Sequence, residues 1–309
     1  MGVVTWNTAE LTARALRLLV DATGDVDLRI LVHDNASTDG TVETLRREVP
    51  EAEVAVGQGN LGFAAGVNRL LARSTAPWFL ALNSDAWPLP GAVSRLIGTA
   101  EQHPEAAIVV PRLERPDGTL EHSTFPFPSL PVAALTAVGG YRWVLPCLAE
   151  RRLLPGAGDH DVARAVPWAV GAAMLLRRRA VDDVGPFDER FFMYAEDMEW
   201  CWRAGQRGWA IWFEPAARVC HVGNASGEQR FEGRRTVAHL HNAYRFHRRI
   251  HGSVSTTAHR ALNVIGIARL YGLARLRGDR REARRWRAHL RGHLTRPVGD
   301  DRPTEPITR

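Results

Sequence analysis

The sequence contains no lysine: its forty basic residues are all arginine. A bias toward GC-rich codons accounts for this more simply than a chemical demand for guanidinium. Cysteine is nearly as scarce. Cys147, Cys201 and Cys220 are too few and too scattered for a disulfide framework or a zinc site, which points to a reducing, cytosolic setting. No charged-then-apolar leader opens the chain, and no apolar run reaches the length that spans a bilayer. The expected location is therefore cytoplasmic, with peripheral attachment at the inner face of the cell membrane as the one membrane arrangement still open.

What is present is ordinary globular material, unevenly charged. The 309 residues are 45% hydrophobic, enough for a sizeable core in one large domain or a domain with an appendage. The net charge of +6 hides an asymmetry. From Arg230 to Arg296 there are seventeen arginines against Glu232, Asp279 and Glu282, while residues 1–229 carry a net negative charge. The chain divides into an acidic body (1–229), a basic section (230–296) and a polar tail (297–309) that reads as disordered.

The first hundred residues alternate short apolar runs with helical periodicity. Met1–Thr5, Leu28–His33, Glu53–Val56 and Trp78–Leu82 read as strands; Ala9–Val20, Thr41–Glu48 and Ala64–Arg73 read as helices. This rhythm predicts an α/β fold with a mostly parallel central sheet and flanking helices. Such sheets bind ligands at the carboxyl ends of their strands. Thr5-Trp6-Asn7, Asp34-Asn35 and Asn83-Ser84-Asp85 fall there. Residues 112–165 are rich in Pro and Gly and read as long loops; Ala172–Arg177 and Trp209–Phe213 read as strands, and Thr236–Leu294 as helical. The nucleotide half of the body would end near 111, and an acceptor half would occupy 112–229.

Chemistry enters through single residues. Asp34, at a strand tip, can accept hydrogen bonds from a ribose or a pyrimidine N–H, although Ser37, Thr38 and Asp39 after it equally suit helix capping. Asn60 to Asn68 holds two glycines at a helix start, which serve either backbone approach to a nucleotide or tight helix–sheet packing. Asp85 is a lone acid placed to hold a hard divalent cation on phosphates, and His221 is its candidate co-ligand. Phe187 to Arg203 interleaves six aromatics with five acids. Carboxylates in such a partly dry stretch can gain the proton affinity a general base needs, or can simply form the wet face of an amphipathic helix.

Taken in order, these segments resemble the family 2 glycosyltransferases, most closely the bacterial rhamnosyltransferase-like enzymes. The resemblance runs from Val3 to about Ser226. Its motifs are Val4-Thr5-Trp6-Asn7, Asp34 to Thr41, Asn60 to Asn68, Asn83-Ser84-Asp85, Trp168-Ala169-Val170-Gly171-Ala172, and Gly185 to Arg203, closing with Pro215 to His221. It implies the GT-A (Rossmann-like) fold followed by a C-terminal helical section. It also implies a nucleotide pocket of Thr5, Asn7, Asp34 and Asn60, and Mg²⁺ or Mn²⁺ on Asp85, with Asn83 beside it and His221 completing the shell. Asp197 would be the catalytic base, and Trp168, Gly171 and Glu196 would face the acceptor. Asn83 stands where the family's DxD motif has its first acid. Gln229-Arg230-Phe231 is only a faint echo of the Gln-x-x-Arg-Trp motif of processive synthases, so the expectation is inverting addition of a single sugar.

By the same resemblance the donor would be dTDP-L-rhamnose, or a UDP-hexose. The acceptor would be a lipid-linked or cell-envelope glycan, or a soluble natural-product aglycone. The competing class is a non-catalytic protein that binds nucleotide-sugars or polyanions. Joint presence of Asp85 and Asp197 favours an enzyme, because a binding module needs no base. Residues 236–294 read either as a solvated helical cover or as a surface docking on anionic membrane through Tyr244, Phe246, Leu262, Ile265, Ile267, Leu270, Leu273 and Trp286. They contain no recognised nucleic-acid module.

Overall fold

In the computed structural model, β1 (Gly2–Thr5), β2 (Ile30–Asp34), β3 (Ala52–Val56) and β4 (Trp78–Asn83) alternate with α1 (Ala9–Ala22), α2 (Thr41–Glu48) and α3 (Gly62–Ala72). The structure describes residues 1–24, 26–139, 160–223 and 232–295. Cys147, the Gln229-Arg230-Phe231 echo and the tail at 297–309 lie outside them. The periodicities explain the elements. α1 buries Thr12, Ala13, Leu16 and Leu19 on one face, and β2 is buried at all five positions because helices cover both faces of its sheet.

The chain continues through β5 (Ala86–Pro88), α4 (Ala92–Gln102), β6 (Ala106–Glu114), β7 (Leu120–Glu121), β8 (Thr124–Phe125), α5 (Leu130–Ala137), β9 (Arg164–Val166), β10 (Trp168–Ala169), β11 (Ala173–Arg177), α6 (Arg178–Val184), α7 (Glu196–Gln206) and β12 (Ala210–His221), with β8 and β10 paired in a separate two-stranded sheet. The strand order is β3-β2-β1-β4-β11-β6-β12-β5. The parallel expectation describes β3-β2-β1-β4. Beyond β4 the sheet is mixed: β11 runs antiparallel to β4 and β6, while β12 is parallel to β6 and antiparallel to β5. The reason is local. The chain enters β11 at the edge where β4 finishes, with the Asn83 N–H bonded to the Ala172 carbonyl at 2.9 Å, and an antiparallel neighbour needs no crossover helix.

Residues 112–165 hold more regular structure than their Pro and Gly content suggests. β6 is buried from Ala106 to Pro111 with no alternation to betray it, and Pro116-Asp117-Gly118 turns the chain back as β7. The stretch from Phe187 to Arg203 is helical only from Glu196 onward.

Gly62 and Gly66 serve packing. Gly62 has φ +85° and a Cβ there would collide with the Phe192 carbonyl, to which Phe63 donates at 3.0 Å. A Cβ on Gly66 would lie 2.7 Å from both Val4 methyls, so α3 can sit on β1 only without one.

These elements, except α5, form one compact unit drawn from residues 1–125, 160–192 and 196–223; a second comprises 126–139, 193–195 and 232–295. The second contains α5, α8 (Glu232–Leu276, interrupted by non-helical Gly252) and α9 (Arg280–Leu294). Asp279 caps α9 by accepting from the Arg281 and Glu282 N–H groups. Tyr244 and Phe246 are 5% and 0% exposed, and the Tyr244 hydroxyl meets His293 Nδ1 at 2.6 Å. Both aromatics belong to this unit's interior, which corrects their assignment as membrane anchors; Ile265 is 59% exposed. Among the described residues no helix is long and apolar enough to cross a membrane.

Candidate active site

The sheet brings the predicted residues to one edge. Register pairs Thr5 with Asp34 and Val4 with Asn83, so β2, β1 and β4 end side by side. β12 delivers His221 opposite Ala86, next to Asp85.

At the β1–β2 tips, polar groups tie two loops together. Asn7 donates its N–H to Ser37 Oγ (2.8 Å), and its Oδ1 accepts from the Thr38 N–H (2.7 Å). Asp34 is fully buried; Oδ2 accepts from the Ser37 N–H at 2.8 Å, while Oδ1 finds no partner among the described residues. A buried carboxylate oxygen without a donor is costly. Thr5 is different: its hydroxyl meets those of Thr8 and Thr12 at 2.9 and 3.0 Å, anchoring the first turn of α1. Asn60 Oδ1 accepts from the Gly62 N–H at 3.0 Å and shapes the entry to α3. Asp39 holds both helix starts, accepting from the Ala9 and Thr41 N–H groups, so the capping reading of this loop is realised.

At the β4 and β12 tips, His221 Nε2 lies 3.3 Å from Asp85 Oδ1 and 3.4 Å from Asn83 Nδ2. Its Nδ1 meets Glu121 Oε2 at 3.0 Å. Burial lowers the affinity of this imidazole for its proton, but hydrogen bonds to Asp85 and Glu121 and their charges outweigh it, raising the pKa to about 9. Among the described residues no group of three or more His, Cys, Asp or Glu closes a metal cage. The donor set nevertheless fits a hard divalent cation that binds through one or two carboxylates and completes its shell with substrate phosphates. Octahedral ligands at 2.0–2.1 Å sit about 3 Å apart, close to the Asp85–His221 separation. Glu121 was not legible as a site residue. The Asp117-Gly118 turn signals its hairpin, but only the sheet carries it to His221.

The third group is Gly171, Glu196 and Asp197. Asp197 Oδ2 accepts from the Gly171 N–H at 2.8 Å and Oδ1 from the Met198 N–H at 2.7 Å. Burial raises its pKa, and these two backbone donors moderate the rise by favouring the anion. Glu196 is raised well above the usual carboxylate range, by burial first and by the Asp197 charge second, and its Oε2 finds no partner among the described residues. Tyr194 and Ala195, immediately before the pair, have φ of 70° and 71°, left-handed conformations that cost ~1–3 kcal/mol each in non-glycine residues. Among the described residues the other non-glycine positions with positive φ are Asn7 and Ala36, at the β1–β2 tips.

The remaining residues of that stretch are architectural. Glu199, with a fully buried side chain, pairs with Arg203 at 2.9 Å; Arg203 donates to the Val184 and Pro186 carbonyls, and Trp200 Nε1 to that of Gly185. Asn68 exchanges two 2.9 Å hydrogen bonds with the Phe187 backbone. Trp168 on β10 tilts against Phe125 of β8 at 5.3 Å.

A buried carboxylate pair beside strand tips carrying Asp85 and His221 suits transfer between two bound molecules. The family model described as "Glycosyl transferase family 2" matches residues 2–185. The chain belongs to this family. A second model, "Glycosyl transferase family group 2", matches residues 160–263 of this family 2 protein. Over 207 residues it is 32% identical to N-acetylglucosaminyl-diphospho-decaprenol L-rhamnosyltransferase of Mycobacterium tuberculosis, covering 62% of this chain and 66% of that one. Its fold is similar to the mannosyltransferase PcManGT from Pyrobaculum calidifontis in complex with GDP-Man and Mn²⁺. The TM-score is 0.62 at 16% identity, over 95% of this chain and 84% of the other. GalNAc-T7 with UDP, GalNAc and Mn²⁺ gives a TM-score of 0.58 at 13% identity, over 80% and 46% of the two chains. The architecture is GT-A.

Proposed function

We propose that this family 2 protein transfers one sugar, L-rhamnose from dTDP-L-rhamnose, to a hydroxyl of a lipid-linked glycan, with inversion. The observation that carries the reading is the hydrogen bond between the Asn83 N–H and the Ala172 carbonyl, which sets the Gly171–Asp197 contact beside the tip bearing Asp85 and His221. Rhamnose and a lipid-linked acceptor are supported by the named activity of the mycobacterial relative. A UDP-hexose is the second donor class.

In this reading Asp34 offers its unpartnered Oδ1 to the base or ribose. Asp85 and His221 would hold Mg²⁺ or Mn²⁺, whose charge, when bound, stabilises the departing diphosphate. Asp197, fixed by the Gly171 and Met198 N–H groups, takes the proton of the acceptor hydroxyl. That hydroxyl oxygen attacks the anomeric carbon from the face opposite the leaving group, so one displacement inverts it. Glu196, whose proton affinity burial and the Asp197 charge raise, has Oε2 available to hydrogen-bond the acceptor.

The test is thermal stabilisation by dTDP, UDP and GDP, each with and without Mn²⁺, on the wild type and on Asp85→Ala. The expected result is stabilisation by dTDP that requires Mn²⁺ and vanishes in the variant; a ligand present at 100 Kd adds ~2.7 kcal/mol. A UDP preference transfers the reading to UDP-hexoses, and no response to any nucleotide defeats it.

A lipid-linked acceptor calls for a membrane-facing surface. Arg280, Arg281, Arg284, Arg285, Arg287 and Arg291 are exposed along α9, and Ile265 and Val254 on α8. Arginines near an anionic surface contribute about 1 kcal/mol each. Sedimentation with phosphatidylglycerol vesicles, but not phosphatidylcholine vesicles, is the expected outcome; the same recovery with both would favour a soluble acceptor.

A further inference from the structure

We propose that Glu121 is a positioning residue that orients His221 toward the cation, holding Nδ1 so that Nε2 faces Asp85. The inference rests on the proposed metal role of Asp85 and His221 and adds the residue that makes the histidine a usable ligand. An imidazole can bind a cation through one nitrogen only if the other keeps its proton, and the group accepting that proton's hydrogen bond selects the tautomer and the ring orientation. Here the two ring nitrogens have different surroundings. Nδ1 has the Glu121 carboxylate at 3.0 Å, whereas Nε2 has Asp85 Oδ1 at 3.3 Å and Asn83 Nδ2 at 3.4 Å.

Glu121 is built into this place. The β6–β7 hairpin closes with the Arg115 N–H bonded to the Thr119 carbonyl (2.8 Å) and the Thr119 N–H to Asp117 Oδ1 (2.9 Å). Gly118 takes φ +80° in the turn. β7 then sets Glu121 opposite Leu113, and β12 sets Val219 opposite the same residue, two positions before His221. Of the other hairpin carboxylates, Asp117 accepts from Thr119 and Glu114 is paired with Arg112 and Arg218, which leaves the histidine to Glu121.

The experiment measures Mn²⁺ affinity, by electron paramagnetic resonance of free Mn²⁺, at saturating dTDP or UDP, whichever stabilises the wild type. Glu121→Leu, which removes the acceptor, is expected to weaken Mn²⁺ binding by about 10–100-fold, the usual effect of losing a ligand's hydrogen-bond partner. Glu121→Gln keeps an acceptor oxygen and is expected to recover most of the affinity. The ¹⁵N spectrum of the Mg²⁺–nucleotide complex should report one Nδ1-protonated tautomer of His221 in the wild type and a mixture in Glu121→Leu. Melting of each metal-free variant confirms that it is folded. Affinity of Glu121→Leu within twofold of the wild type overturns the inference, as does Glu121→Gln binding no better than Glu121→Leu. Both results leave the metal reading standing provided His221→Ala still loses the ion. If wild type and His221→Ala bind Mn²⁺ equally, the metal reading falls and Glu121 with it.

Discussion

Asp197→Asn is expected to lower kcat by about 10²–10⁴, the range a general base contributes, while the protein still binds its nucleotide. The reason is chemical rather than steric. An amide matches the carboxylate in shape but cannot take the hydroxyl proton. The change also disturbs the site, because Asp197 accepts from two backbone donors, Gly171 and Met198, and an amide has one acceptor oxygen for both. The donor left without a partner costs ~1–3 kcal/mol. Melting temperature and nucleotide stabilisation are therefore measured on the same sample, and loss of turnover counts only where both persist. In the wild type the acid limb of kcat/KM against pH should lie above the range of an exposed aspartate, since burial raises this carboxyl, and activity should fall as pH drops through it. Unchanged turnover in Asp197→Asn would remove the base from Asp197. Glu196→Gln, which keeps a hydrogen-bonding group of the same shape at a position assigned no proton transfer, should have the smaller effect.

Arg203→Met should destabilise the fold by about 3–5 kcal/mol, the cost of leaving a buried charge unpaired. Glu199 has a fully buried side chain, and the Arg203 guanidinium faces it at 2.9 and 3.0 Å. The same guanidinium donates to the carbonyls of Val184 and Pro186, so its loss also leaves the turn before Phe187 without its donors. Removing both charges in Glu199→Gln/Arg203→Met should recover part of the loss, because no carboxylate is then buried alone. Urea denaturation checks this. A loss below 1 kcal/mol in Arg203→Met would mean that the pair is neutral in worth and that Trp200 and Asn68 suffice to hold this turn.

The two substitutions separate functions that lie within seven residues of each other. The five acids between Phe187 and Arg203 are alike in sequence, and their roles differ by surroundings. Asp188 pairs with Arg190 at the surface, Glu189 meets Asn68, and Glu199 is neutralised by Arg203. Among the described residues, Glu196 and Asp197 are buried with no cation paired to them, and burial raises the proton affinity of both.

By itself the sequence determined the alternation of β1 to β4 with α1 to α3 and the strand-tip position of Asp34 and Asp85. Those are local properties, set by side-chain periodicity and by turn residues a few positions apart. It also carried the family, through motifs whose order survives without knowledge of the fold. Tertiary structure decided the rest. Which acids are buried, which nitrogen of His221 is held, and that Glu121 holds it depend on β6, β7 and β12 aligning residues a hundred positions apart. The same dependence hid the mixed half of the sheet, where a continuous apolar strand has no period to read, and turned Tyr244 and Phe246 from supposed anchors into core. Burial and non-local pairing are set by the packing of whole elements, and no window of sequence contains them.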